Sequence, residues 1–143
     1  MNRAEFQRLA DVRVREAEAL LAAGLWDGAY YLAGYAVECE LKAAIITRVQ
    51  TDPGLLFEEK HKNFQRDCWS HSLSSLVKLA GLELQLDNRQ QTDPMFQDRW
   101  SLVAVKWSEK VRYEFKTESE ARLLVAAVND PSFGVLPWLV SLR

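Results

Sequence analysis

His71 is one of two histidines in this chain, and it closes the run Arg66-Asp67-Cys68-Trp69-Ser70-His71. Imidazole titrates near neutral pH and can move the proton of a 2'-hydroxyl or a leaving oxygen, while a fixed guanidinium neutralises a phosphate. Arg66 and His71 are therefore candidate catalytic residues, and the chemistry they suit is metal-free cleavage of a phosphodiester. The structural alternative makes His71 a cap or a hydrogen-bonded residue at the start of a helix.

Glu38 and Lys42 form a second constellation. They stand four apart in the favourable order for an intrahelical ion pair, which contributes a few tenths of a kcal/mol (about 0.2–0.5) when exposed. The functional alternative is a partly buried pair lining a polar cleft with Arg112 and Tyr113. There a phosphate would meet Lys42 and Arg112 while a base stacks on an aromatic ring. Glu38, Lys42, Arg112 and Tyr113 are the candidate ligand-binding residues. Basic side chains also cluster as Lys60, His61, Lys62 and Arg66, and as Lys106, Lys110, Arg112 and Lys116 around Trp107 and Tyr113. Basic groups among aromatics suit single-stranded RNA or nucleotides. Glu58, Glu59, Glu109 and Glu114 lie among them, so a solvated mixed-charge surface is the competing reading.

Other chemistries lack their residues. A zinc site from Cys39, His61, Cys68 and His71 has only the Cys68–His71 spacing in its favour, and no metal is expected. Cys39 lies on an apolar row, where a thiol packs as a small hydrophobe rather than acting as a nucleophile. No phosphate loop, dinucleotide fingerprint or His-Glu-x-x-His motif occurs, so no cofactor is expected.

The elements that must hold these residues are helical. Phe6, Ala10, Val14, Ala17 and Leu21 recur three or four apart between Arg3 and Ala23, with Gly24 as the stop. A second helix runs from an Asp27 N-cap to about Val49. It is apolar on two sides, through Tyr31, Tyr35, Leu41 and Ile45 and through Leu32, Ala36, Cys39, Ala43 and Ile46, which marks the central member of a bundle. Its small residues Ala33, Gly34 and Ala36 let a neighbour approach closely. Thr51-Asp52-Pro53-Gly54 ends it, and residues 55–70 form a long connection with room for a short helical piece. Helical spacing returns from His71 to Leu82, with Ser70 as N-cap. After a polar stretch from Gln85 to Thr92, Asp93-Pro94 opens a fourth helix through Trp107. Thr117-Glu118-Ser119-Glu120 opens a fifth, which ends at Asp130-Pro131. The apolar tail from Gly134 to Arg143 should dock through Leu136, Trp138 and Leu139. Strict alternation appears only in the ambiguous run Leu82–Leu86. The expectation is one all-α domain over residues 1–143, an up-and-down helical bundle of about five helices.

Composition narrows the partners. Lys and Arg number 18 against 20 Asp and Glu, a net charge of −2, so no global positive field gathers nucleic acid and any such binding must be local. Hydrophobic residues make up 48% of the 143, which excludes a wholly disordered chain. No apolar run reaches the ~18–20 residues of a membrane span, and Met1 to Leu9 is polar, so the expected compartment is the cytosol. There the two cysteines stay free thiols.

The segment AGYAVECELKAAI (Ala33 to Ile45), preceded by LWDGAYYL, resembles the second helix of HEPN domains. SHSLSSLVKLAGL (Ser70 to Leu82) is similar to the His-x-Leu-x-x-Leu start of their third helix, and RYEF (Arg112 to Phe115) to the Arg-Tyr element before their last. The resemblance spans most of the chain and implies a HEPN-like helical bundle, commonly a homodimer. It implies a nucleotide or RNA ligand, and often a nucleotidyltransferase partner in a toxin–antitoxin or defence setting. Some HEPN proteins are metal-independent endoribonucleases carrying an Arg, four to six residues, then a His. Arg66 to His71 fits that spacing, and Asp67 matches the polar residue that often follows the Arg directly, so the resemblance adds Asp67 to Arg66 and His71 as a candidate catalytic residue. In those ribonucleases, however, the motif follows the region matching Arg112-Tyr113, whereas here it precedes the third helix and no His follows residue 71. The resemblance therefore leads first to a non-catalytic nucleotide- or RNA-associated module, with an endoribonuclease toxin using Arg66 and His71 as the alternative.

Overall fold

The computed structural model describes Met1–Arg143, and it is a bundle of α-helices with no strand. The helices are α1 (Arg3–Ala22), α2 (Trp26–Thr51), α3 (Phe64–Asp67), α4 (Leu73–Ala80), α5 (Glu83–Thr92), α6 (Pro94–Lys106), α7 (Glu118–Asn129) and α8 (Val135–Ser141). Three 3-10 turns join them at Pro53–Phe57, Glu59–His61 and Glu109–Tyr113. No helix is long and apolar enough to cross a membrane.

Eight helices stand where periodicity predicts about five. The additional ones are short or expose most of their length. α5 is polar and buries only Leu86, so no apolar stripe announces it. In the run Leu82–Leu86, helical geometry turns Leu84 away from Leu86 and leaves it 69% exposed. α3 has four residues, less than the two turns over which a period can be read. α8 is the expected docking tail: Leu136, Trp138 and Leu139 are buried, and the Trp138 ring meets Phe96 edge to face at 5.2 Å. Pro137 is tolerated there because the first turn has no intrahelical use for its missing N–H.

α2 is the central member. α1, α4, α7, α8 and the 109–113 turn all contact it, and one continuous core runs from Ala10 in α1 to Leu139 in α8. The α1–α2 turn closes by backbone chemistry. Gly24 takes φ 76°, which lets its N–H reach Leu21 O at 3.2 Å and the Leu25 N–H reach Leu20 O at 2.9 Å, so the orphan carbonyls of α1 are satisfied.

Local capping follows the sequence in two places and departs from it in two. Asp93 Oδ1 accepts the Phe96 N–H at 3.1 Å with Pro94 at the first helical position, and the Thr117 hydroxyl accepts the Glu120 N–H at 3.2 Å. Asp93→Ala is expected to lower stability by about 1 kcal/mol, read from the urea midpoint, since it orphans that N–H. Asp27, by contrast, is not the N-cap of α2. Leu25 occupies that position without a side-chain bond, and the Asp27 carboxylate instead accepts the Lys116 N–H at 2.6 Å. Nor is Ser70 the cap of α4: Ser72 accepts the Ser75 N–H at 3.3 Å, and Ser70 accepts that of Ser72 at 3.1 Å.

Candidate functional site

A helix that is buried on most sides can still carry one polar stripe, and α2 does. Tyr31, Tyr35, Glu38 and Lys42 follow one another at spacings of four, three and four, which places them on one face over about 16 Å. The two ends of this stripe are different places chemically.

At one end the Glu38 carboxylate is 1% exposed and is satisfied by two partners. Lys42 Nζ donates to Oε1 at 2.8 Å, and His71 Nδ1 lies 3.0 Å from both carboxylate oxygens across 33 residues of chain. The Ser70–Ser72 turn at the start of α4 delivers the imidazole there. A carboxylate can only accept, so the bond to Glu38 assigns the proton to Nδ1 and leaves Nε2 as an acceptor when the ring is neutral. The His71 side chain is 45% exposed, so the ring is reachable. Its role at the helix start is not capping, which Ser72 performs.

At the other end, three long-range bonds fasten the segment 106–116 to the first turns of α2. Tyr30 OH donates to Lys106 O at 3.2 Å, Trp107 Nε1 donates to Tyr31 O at 3.1 Å, and Asp27 takes the Lys116 N–H. The Trp107 indole packs over Gly34, which is where the small residues of α2 admit a neighbour. Tyr31 stacks on Tyr35 with ring centroids 6.0 Å apart and on Trp107 at 6.3 Å. Arg112 lies over the Tyr113 ring at 4.9 Å, and the Tyr113 and Tyr31 hydroxyls raise its already high pKa. Tyr113 is 79% exposed.

The candidate ligand-binding residues therefore fall into two groups. Glu38 and Lys42 join His71, Arg112 and Tyr113 join Tyr31, and the length of the stripe separates them. The three candidate catalytic residues divide as well: both Nε and Nη2 of Arg66 donate to Asp67 Oδ1, at 3.1 and 3.0 Å, on an exposed surface, and His71 turns to Glu38. Among the basic clusters, Lys60 pairs with Glu58 and Lys62 with Glu59, a solvated mixed-charge surface, and Lys116 pairs with Glu114. Arg112 pairs with no carboxylate.

No three His, Cys, Asp or Glu side chains converge as a metal site. Both thiols are free, and burial pushes Cys39 up to about 11, with Glu38 adding to the shift. Burial also raises Cys68, so neither sulfur is a thiolate at neutral pH.

Two features lay outside the sequence reading. Trp69 is 77% exposed, a large aromatic ring left on the surface. Glu40 is a second buried carboxylate on α2, closed by Arg143 Nε at 3.0 Å and Nη2 at 2.7 Å, and Arg143 also reaches Asp11. An acidic residue set between Ala36 and Ala43 on a helix buried on two sides is the signal that could have shown it.

No family model matches the chain, and no curated protein or solved structure is similar to it.

Proposed function

We propose that this protein is a HEPN-like module that associates with nucleotides or single-stranded RNA through the polar face of α2, as a homodimer beside a nucleotidyltransferase partner in a toxin–antitoxin or defence setting. The observation that carries the reading is the Arg112 end of the stripe. A guanidinium without an acidic partner lies over the exposed Tyr113 ring and close to Tyr31, which offers charge to a phosphate and a ring face to a base. Supporting it, the three segments that carry the resemblance meet on this one helix: the first supplies Tyr35, Glu38 and Lys42, the second His71, and the third Arg112 and Tyr113.

The contact of His71 with Glu38 favours a second reading, a metal-independent endoribonuclease. There Glu38 would hold the imidazole as the proton acceptor, and His71 would act without the guanidinium of Arg66, which its own neighbour Asp67 occupies.

One experiment separates the two. Labelled single-stranded RNA of mixed sequence is incubated in EDTA with wild type, Arg112→Ala, Lys42→Ala and His71→Ala, with each fold checked by circular dichroism. The module reading expects binding without cleavage, weakened roughly fivefold or more by Arg112→Ala, with a salt slope shallower by about one. Cleavage by wild type that disappears in a folded His71→Ala replaces it with the ribonuclease reading. Affinity unchanged in both Arg112→Ala and Lys42→Ala removes the polar face of α2 as the site.

A further inference from the structure

Beside the Glu38 cluster, a groove of about 540 Å³ opens between the long helices and the connection that follows α2. Its walls are Phe6 of α1, Ile45, Ile46 and Val49 of α2, and Phe64 and Trp69 from the connection. Lys42 is the one charged side chain that lines it, and the same side chain belongs to the Glu38–His71 cluster, so groove and cluster are continuous. An apolar slot of this size with a cation at one end is the form of a ligand pocket rather than of a packing defect.

We propose that this groove holds one base of a single-stranded RNA, stacked on Trp69, with the adjoining phosphate at Lys42. The inference rests on the RNA reading above and adds a base subsite to it, at the opposite end of the stripe from Arg112. Three observations fit this occupant. Trp69 presents most of its ring to solvent at the groove wall, and a planar base covers such a face whatever its sequence. Lys42 Nζ uses one of its three donors on Glu38, which leaves donors for a phosphate oxygen. Gln65, the one uncharged polar side chain lining the groove, offers both a donor and an acceptor to a base edge. Stacking on an exposed ring and a cation at a phosphate together set the register of a strand that Arg112 and Tyr113 would contact further along.

The test titrates wild type, Trp69→Leu, Trp69→Phe and Lys42→Met with a single-stranded RNA oligomer. Affinity is read by anisotropy of labelled RNA, intrinsic tryptophan emission is read with unlabelled RNA, and sedimentation of each variant is measured without RNA. Trp69 is the most exposed of the five tryptophans, so RNA should quench wild-type emission, and the quench should vanish in Trp69→Leu. Affinity should fall roughly tenfold in Trp69→Leu, as expected for one lost stack, with Trp69→Phe recovering part of it. Lys42→Met should flatten the salt dependence. RNA that binds Trp69→Leu as tightly as wild type, with no quench in wild type, overturns the groove proposal while the RNA reading stands. A wild type that binds no RNA overturns both. A sedimentation change confined to the Trp69 variants makes the groove a contact between copies of this chain and overturns it as a base subsite.

Discussion

Arg143→Ala should destabilise the fold by about 3 kcal/mol, within the range of roughly 3–5 kcal/mol for removing one partner of a buried ion pair. Glu40 is 3% exposed on the central helix, and Arg143 supplies the two hydrogen bonds that satisfy its carboxylate. Without the guanidinium the carboxylate must stay charged in an apolar setting, take up a proton or open the fold. The arginine side chain is 30% exposed, so solvent screens part of the interaction, which places the loss at the lower end of the range. In a thermal melt this corresponds to a fall on the order of 10 °C. The paired exchange Glu40→Leu with Arg143→Met should return stability close to wild type, because replacing both charges removes the desolvation cost along with the attraction. A single Arg143→Ala variant that melts with wild type would mean that Glu40 finds water instead, and that the lock does not hold the α2–α8 junction.

Gly34→Ala should be the most damaging small-to-small change in the helices. Alanine ordinarily stabilises a helix over glycine by up to about 1 kcal/mol, so the expected sign here is opposite to the local rule. A Cβ on Gly34 would lie 2.2–2.3 Å from Cδ1, Cγ and Cδ2 of Trp107, the base of a rigid indole with no flexible end to yield. Trp107 must then leave its seat and give up the bond from Nε1 to Tyr31 O. Overpacking of about 1–3 kcal/mol plus roughly 1 kcal/mol for that bond outweighs the propensity gain, for a net loss of about 2 kcal/mol or more. The segment 106–116 hangs from the same contacts, so under the proposed RNA-associated function the affinity carried by Arg112 and Tyr113 should fall as well. Gly28→Ala is the control: its Cβ meets only Leu20 Cδ1 at 3.0 Å, the movable end of a side chain, and stability should hold or rise. Equal melting of Gly34→Ala and wild type, with unchanged near-ultraviolet dichroism, would show that Trp107 is not seated on this glycine.

These two variants mark how far the sequence can be read. Gly34 was legible as a small residue that admits a neighbour, because a run of Ala33, Gly34 and Ala36 on an apolar helix has few other uses. Its neighbour was not legible, since Trp107 lies on a different helix end and nothing in local spacing connects them. Glu38 and Lys42 were readable as a pair from their separation of four, and His71 as a group able to move protons. That His71 turns to Glu38 while Arg66 turns to Asp67 depends on how the connection after α2 folds back, and that connection is built from turns too short to carry a period.

What the sequence determined by itself is the set of long helices and their order. The apolar spacing of α1, α4 and α7 is written in the chain, as are the two-sided burial of α2, the Asp93-Pro94 and Thr117 starts, and the glycine stop at Gly24. Periodicity records which face of a helix is apolar, and capping residues act within four positions of one another. Only the tertiary structure decided which element covers each face and which charges are spent. It gave Asp27 to a backbone amide 89 residues away, closed Glu40 with Arg143, left Arg112 without an acidic partner and Trp69 without a cover. Those outcomes come from partners distant in sequence, brought together by burial of the core, and burial selects for buried area and satisfied polar groups rather than for any local pattern.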